Sequence, residues 1–123
     1  MSTDRPGYLS ARVNSAAVRE TFRVTNGLRH QVRHGVHCIE AVNDQGEGFY
    51  VNLPAQIESG TYQLEIGLPS VIHVVNSSEA ELYPSGTLTL TVGGDARFAG
   101  TFSGTDANGI VIEDGRFRLE NDA

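Results

Sequence analysis

The sequence predicts a single all-β domain, either an antiparallel β-sandwich or a flattened β-barrel, with about nine strands. Apolar residues mostly alternate with polar ones, which is the period of a half-buried strand. Fourteen glycines and four prolines, together with many Asn, Asp and Ser residues, divide the chain into short runs. The 123 residues are the size of one domain and contain no linker, so we expect one ordered core over about residues 8–120.

The alternating runs predict the strands one by one. In the run 86–92, Leu88, Leu90 and Val92 share one face and threonines occupy the other. The run 71–76 is apolar on both faces, which predicts a central strand. The remaining strands are expected at residues 8–14, 17–25, 30–42, 48–53, 61–66, 97–105 and 110–119.

Two glycine-containing dipeptides predict hairpins near the end of the chain. Gly93-Gly94 and Asn108-Gly109 each lie between alternating runs, and such dipeptides supply the positive φ angles of tight hairpins. We therefore expect the last three strands to form an antiparallel meander. Asp114-Gly115 falls inside the final run, where a β-bulge lets Ile112 and Phe117 share a face despite their odd spacing.

A short phrase built around Gly-Thr recurs along the chain and predicts strand entry, because glycine turns the chain and threonine favours the pleat. It occurs at Ser59-Gly60-Thr61-Tyr62, Ser85-Gly86-Thr87-Leu88-Thr89-Leu90-Thr91 and Ala99-Gly100-Thr101-Phe102-Ser103-Gly104. With Asp114-Gly115-Arg116-Phe117, these phrases resemble small bacterial all-β domains of unknown function, many of which are lipoproteins. The resemblance covers about residues 8–120 and implies a sandwich or flattened barrel. It brings no catalytic residues with it.

The charge balance narrows the expected partners. Fifteen acidic residues face nine basic ones, all of them arginine, which gives a net charge of −6 and a pI near 5.0. Phosphate backbones require clustered positive charge, so no nucleic-acid partner is expected. Six arginines lie in residues 1–40, whereas residues 41–123 contain twelve of the acids. This asymmetry allows contact with an acidic protein partner or between copies in a homo-oligomer.

Cysteine usage and the first residues bear on the compartment. Cys38 is the only cysteine, so an intramolecular disulfide is excluded, although small secreted domains usually contain several. The first twenty residues lack the apolar stretch of a secretory signal, and no run approaches the length of a membrane span. We therefore expect a cytoplasmic protein, or an envelope protein if a leader has been removed. In this respect the chain departs from the lipoproteins that it resembles.

Residues 28–42 contain three of the four histidines and support two interpretations. As a helix, they place His30, His34 and His37 on one face with a spacing that suits zinc. As a strand, they place His30 and His34 about 13 Å apart and turn His37 to the opposite side. The strand is favoured because Gly35 in the middle of a helix costs ~1 kcal/mol, whereas in a strand it serves as a bulge. The candidate metal ligands are His30, His34, His37 and Cys38.

Three functional hypotheses follow; no cofactor is predicted beyond the metal ion of the third, and no catalytic residue is identified. The first is a non-enzymatic binding or protein-interaction module that uses an Arg/Thr face on residues 17–25. The second is a barrel that carries a small apolar ligand among its aromatic residues. The third is a metal-dependent enzyme that uses the cluster at residues 30–38. The candidate binding residues are Arg19, Thr21, Arg23 and Thr25 for the face, and Phe49, Tyr62, Phe98, Phe102 and Phe117 for the barrel.

One acidic residue does not fit the alternation. Glu20 lies on the apolar side of the run 17–25, between Val18 and Phe22. A buried carboxylate needs a partner, and Arg12 or Arg97 are the candidates. We favour the alternative that this run is an edge strand, where Glu20 stays in contact with water.

Overall fold

The computed structural model describes residues 3–14, 19–25, 27–65, 67–94 and 97–120, and these residues form eleven strands and no helix. The all-β prediction is confirmed. No helix long and apolar enough to cross a membrane occurs in these ranges. Residues 17, 18 and 66, which were assigned to predicted strands, lie outside the described residues. The strands are β1 Thr3–Arg5, β2 Gly7–Asn14, β3 Arg19–Val24, β4 Leu28–Arg33, β5 Val36–Val42, β6 Glu47–Pro54, β7 Gly60–Gln63, β8 Ser70–Val75, β9 Ser78–Gly93, β10 Arg97–Asp106 and β11 Val111–Leu119.

The described strands form one antiparallel sheet in the order β1-β4-β5-β6-β8-β9-β10-β11-β2-β3, with β7 paired to β9. The sheet curls into a half-barrel because the long strand β9 belongs to both of its halves. The start of β9 pairs with β8 at residues 78–81, and its later part pairs with β10 and β7. We call β1, β4, β5, β6 and β8 the first half-sheet, and β7, the later part of β9, β10, β11, β2 and β3 the second.

The core lies between the inner faces of the two half-sheets. The Phe49 ring on β6 lies with its centroid 5.5 Å from that of Phe22 on β3 and 5.4 Å from that of Phe102 on β10. These contacts join strands that do not pair with one another, so they hold the curled sheet together. The aromatic interior is therefore packed side chain against side chain, as protein cores usually are. Residues with at most 1% exposure include Leu9, Leu28, Ile39, Phe49, Val51, Leu53, Val71, Leu82, Leu88, Ile112, Phe117 and Leu119.

The predicted meander, bulge and central strand are confirmed. β9, β10 and β11 pair consecutively and antiparallel. The pairing of β11 shifts register across Asp114-Gly115, and Asp114 has a φ of 51°. As a result, Ile112 and Phe117 both point into the core, with 0% and 1% exposure. β8 lies between β6 and β9, as its apolar faces indicated.

Residues 28–42 form a hairpin, which corrects both interpretations of this stretch. β4 and β5 pair from Arg29–Glu40 to Arg33–Val36. The two-residue loop His34-Gly35 has φ angles of 52° and 76°, and a tight hairpin needs positive φ at both positions. Gly35 is therefore a turn residue and not a bulge. Because the chain reverses here, His30 and His37 come to the same face of the sheet.

The Gly-Thr phrases correct a second expectation. Gly60 does begin a strand, but Gly86 and Gly100 lie inside β9 and β10. At these positions glycine makes room for neighbours. A Cβ on Gly86 would lie 2.9 Å from Leu64 Cδ1, and one on Gly100 would lie 2.8 Å from Phe117 Cε1. The recurring phrase therefore marks close packing in two of its three occurrences.

Candidate functional site

A pocket opens at one end of the core, between the edge strand β3 and strands β6 and β8 of the first half-sheet. We call it the mouth pocket. Its volume is about 230 Å³, and it combines an apolar floor with three ionisable side chains. An apolar cavity of about 150 Å³ holds one benzene ring, so a ligand of one ring and a short chain fits this space. The mouth pocket is lined by Val13, Glu20, Phe22, Glu47, Gly48, His73, Val75 and Ile110.

Sheet register explains why these residues meet. Phe49 of β6 pairs with His73 of β8, and one step towards the end of the sheet Glu47 pairs with Val75. Residues two apart in a strand share a face, so His73 and Val75 both point inwards. On the opposite half-sheet, Val13 of β2 pairs with Glu20 of β3. The curl of the sheet then brings the two pairs to the same opening.

A buried His–Asp pair forms the polar end of the pocket. His73 Nδ1 lies 2.9 Å from Asp106 Oδ2, and the two side chains are 6% and 0% exposed. The other carboxylate oxygen of Asp106 accepts hydrogen bonds from the backbone N–H groups of Asn108 and Ile110, at 2.8 and 2.9 Å. Asp106 therefore fixes both the β10–β11 loop and the His73 ring. The ring also stacks on Phe49, with centroids 5.1 Å apart.

The pairing with Asp106 defines which nitrogen of His73 faces a ligand. A carboxylate only accepts hydrogen bonds, so Nδ1 of His73 carries the hydrogen that is donated to Asp106. In the neutral ring, Nε2 then carries a lone pair. Nε2 has no hydrogen-bond partner among the described residues, and His73 lines the mouth pocket. The neutral ring thus offers Nε2 to the pocket as an acceptor.

Two carboxylates complete the rim. Glu20 is exposed on β3, and Glu47 is half-buried at the start of β6. The expectation that Glu20 lies on an edge strand in contact with water is confirmed, since β3 is the last strand at one edge of the described sheet and Glu20 is exposed. Arg12, one suggested partner of Glu20, instead lies 3.5 Å from Asp114. The carboxylates of Glu20 and Glu47 are acceptors, and no lysine or arginine occurs among the described residues that line the pocket.

A second buried polar cluster lies on the first half-sheet, where His37 of β5 pairs with Leu53 and Val32. Arg5 Nη1 lies 3.2 Å from His30 Nδ1, and His30 Nε2 lies 3.0 Å from His37 Nδ1. Since arginine only donates, Nδ1 of His30 accepts, and Nε2 of His30 donates to His37. Arg5 also donates from Nε to the Glu120 carbonyl oxygen at 2.8 Å. The cluster therefore links the two ends of the chain.

This environment disfavours the protonated imidazoles. Burial, followed by the positive charge of Arg5 and the neighbouring His37, lowers the pKa of His30 from 6.5 to about 4. Burial and Arg5 also lower the pKa of His37. Both rings are therefore neutral at pH 7.

We expect this cluster to make the fold sensitive to acid. The pKa of His30 is lower in the folded chain than in the unfolded chain, so protons bind preferentially to the unfolded chain. The free energy of unfolding is unaffected by His30 above about pH 7 and falls between pH 6.5 and 4, by on the order of 3 kcal/mol for a shift of this size. Urea denaturation across this range measures the slope.

His30→Gln is expected to flatten that slope, because glutamine does not titrate and its amide oxygen can still accept from Arg5. His34→Asn is the matched control. His34 is exposed in the turn, and asparagine tolerates positive φ well. Equal acid sensitivity in His30→Gln and the original chain would contradict a role for His30.

The structure brings together only two of the four candidate metal ligands. His30 and His37 touch, whereas His34 is exposed in the hairpin turn. Cys38 follows His37 in β5 and so points to the other face, where its register partner is Gln31. No group of three or more His, Cys, Asp or Glu side chains suited to a metal ion occurs within the described ranges.

The candidate binding residues likewise do not come together in one site. Arg19 and Arg23 are exposed on the edge strand β3, as the alternation predicted. Tyr62 is half-buried, and its hydroxyl donates to the Glu58 carbonyl oxygen at 2.5 Å. Phe102 is 3% exposed and packs in the core. The hypothetical lining residues Phe49, Phe98, Phe102 and Phe117 are all buried core residues.

Sequence analysis did not identify His73 and Asp106 as a site. His73 lies in the run 71–76, which predicts a central strand, and Asp106 lies between the two predicted strands 97–105 and 110–119. A weak signal existed, because Asp106 precedes Asn108-Gly109 and aspartate commonly caps such turns.

Comparison of the chain with family models, with curated proteins and with solved structures finds no match in any of the three. The class that the structure defines is thus an all-β half-barrel with a small acidic pocket at one end of its core.

Proposed function

We propose that the protein is a non-enzymatic binding module whose mouth pocket holds a small organic cation, such as a protonated amine attached to an apolar body. One observation carries the proposal. The polar side chains that line the pocket are His73, whose neutral ring offers a lone pair on Nε2, and the carboxylates of Glu20 and Glu47. An ammonium group has three N–H donors and no acceptor, so it complements these groups.

The apolar part of the ligand follows from the floor of the pocket. Val13, Phe22, Val75 and Ile110 supply apolar surface below the rim. Binding pockets for small molecules usually combine such a surface with a few placed polar groups. The volume of about 230 Å³ suits a single-ring arylalkylamine. We therefore restrict the hypothesis of a barrel that carries a small ligand to a ligand with a cationic end. This ligand binds in the mouth pocket and not among the aromatic residues of the core.

The edge of β3 supports the self-association hypothesis less well. An exposed strand edge invites pairing with another chain, and natural proteins block this with charged side chains. β3 presents Arg19 and Arg23 outwards and Glu20 towards the pocket. These charges oppose edge-to-edge pairing, which favours the pocket as the functional feature.

The test is a titration with phenethylamine, followed by isothermal calorimetry and by NMR of the pocket side chains. The matched probes are 2-phenylethanol, which has the same ring without the charge, and phenylacetate, which reverses the charge. We expect saturable binding of phenethylamine and much weaker binding of the other two. Equal binding of the alcohol, or no binding of the amine, would refute the proposal.

A pair of variants locates the binding. Glu20→Gln removes a rim carboxylate and is expected to weaken phenethylamine binding about two- to fivefold, the usual size for an exposed charge. Glu79→Gln makes the same charge change at an exposed residue outside the pocket lining. It is expected to leave the affinity unchanged. A similar loss in both variants would show that the attraction comes from the net charge of −6 and not from the pocket.

A further inference from the structure

The outer face of the second half-sheet carries a row of hydroxyl and guanidinium groups. We call it the threonine–arginine row. Its members are register neighbours on six adjacent strands, β7, β9, β10, β11, β2 and β3. In that order they are Thr61, Thr89, Thr101, Arg116, Ser10 and Arg23.

The row points to solvent. Thr61, Thr89, Thr101, Arg116 and Arg23 are exposed and Ser10 is half-exposed. The hydroxyl oxygens of Thr61 and Thr89 lie 3.2 Å apart, which places both side chains on the same face. Neighbouring strands are about 4.8 Å apart, so the row extends over roughly 24 Å.

Some of the arginine side chains on this face form ion pairs and others do not. Arg118 is 2.5 Å from Glu120, and Arg12 is 3.5 Å from Asp114. Arg116 and Arg23, by contrast, have no ion-pair or hydrogen-bond partner among the described residues. They are separated by one strand, which puts their backbones roughly 10 Å apart.

A shallow groove runs beside Arg116. Its volume is about 260 Å³, and Ala99, whose side chain is small, lies on its floor. Tyr8, which is 38% exposed, is the register neighbour of Arg118, and Arg118 in turn lies beside Ala99. The groove thus combines an aromatic ring, hydroxyls and guanidinium groups.

We infer that this face binds an acidic polysaccharide, lying along the row, with a carboxylate on every second sugar. Hydroxyl side chains hydrogen-bond to sugar hydroxyls, and arginine pairs with carboxylates through two parallel N–H donors. In an extended chain of pyranose rings, a carboxylate on alternate sugars repeats at an interval comparable to the spacing of Arg116 and Arg23. Tyr8 offers a surface on which a sugar ring can pack.

Other polyanions fit this face less well. Stable protein interfaces are centred on buried aromatic or aliphatic anchors, and among the groove residues Tyr8 is the one exposed large apolar side chain. Nucleic acids bind to clustered positive charge, whereas this chain has a net charge of −6, and two arginines of this face, Arg12 and Arg118, are paired with carboxylates.

The test is a calorimetric titration of the full chain with a hyaluronan octasaccharide, in which glucuronate alternates with a neutral sugar. Chitohexaose, octaglutamate and an eight-residue oligothymidylate are the comparison probes. We expect the hyaluronan fragment to bind more tightly than all three. Absence of binding would overturn the inference. Equal binding of chitohexaose, which lacks the carboxylates, would also overturn it. So would equal binding of octaglutamate, which lacks the sugar hydroxyl pattern, or of oligothymidylate, which lacks the carboxylates.

Three exposed substitutions then place the binding on the row. Arg116→Gln is expected to weaken hyaluronan binding about tenfold or more, the usual loss for a charge-assisted hydrogen bond. Thr101→Val keeps the side-chain shape without the hydroxyl and is expected to cost about two- to tenfold. Arg33→Gln makes the same charge change on an exposed residue of β4, away from this face, and is expected to have no effect. Equal losses in Arg33→Gln and Arg116→Gln would overturn the inference.

Discussion

Replacing Asp106 with alanine is expected to lower the free energy of unfolding by about 3–5 kcal/mol, the usual loss when one partner of a buried pair is removed. Three hydrogen bonds disappear, namely those to His73 Nδ1 and to the N–H groups of Asn108 and Ile110. Each donor is then left without a partner near the core. Urea denaturation followed by circular dichroism measures the change.

Asp106→Asn is the informative comparison. An amide oxygen still accepts from the two backbone N–H groups, so we expect a smaller loss of about 1–2 kcal/mol. The amide NH₂ then donates to Nδ1 of His73, which moves the ring hydrogen to Nε2. The pocket would present a donor in place of an acceptor, and phenethylamine binding should fall although the fold persists. A variant that folds and keeps full amine affinity would contradict the role assigned to His73.

Replacing Gly48 with alanine is expected to cost roughly 3 kcal/mol or more, at the upper end of the range for overpacked positions. A Cβ at this position would lie 1.8 Å from the carbonyl oxygen of Ala41 and 2.7 Å from Val42 Cα. Both contacts are with the backbone of β5, so no side-chain rotation relieves them. The pairing of β5 with β6 must open instead.

Gly94→Ala is the matched control for this substitution. Nothing lies within 4 Å of a Cβ built there. The conversion of glycine to alanine at a compatible site stabilises slightly, by about 0.4–1 kcal/mol. If Gly48→Ala and Gly94→Ala gave the same denaturation midpoint, the close approach of β5 and β6 would be wrong.

The fold class was predictable because its signals are local. Alternation and turn residues act within a few positions, and Asn108-Gly109 or the Asp114-Gly115 bulge were recognised for that reason. The hairpin at His34-Gly35 was missed because histidine seldom has positive φ, although it does so more often than most residues. That single turn decides which face His37 takes, so the geometry assumed for the metal hypothesis was wrong as well.

The candidate site was not predictable because its contacts are distant in sequence. His73 and Asp106 are 33 positions apart. Their meeting depends on β9, which carries the chain from one half-sheet to the other, and on a register shift near Asp106. Nothing in the local pattern fixes where a 16-residue strand bends. The pocket likewise depends on how far the whole sheet curls.

The threonine–arginine row was predictable in part. Alternation placed Arg19 and Arg23 on an exposed face, and the structure agrees. That Thr101 and Arg116 join the same row followed only from the register across β10 and β11.

The central claim is that Asp106 holds His73 with Nε2 as an acceptor facing the mouth pocket. Nitrogen-15 NMR of the histidine rings at pH 8 tests it directly, since the ring nitrogens of the two neutral tautomers have distinct chemical shifts. We predict the Nδ1–H tautomer for His73, with an Nε2 resonance that moves on addition of phenethylamine. An Nε2–H tautomer, or an Nε2 resonance that phenethylamine leaves unchanged, would contradict the claim.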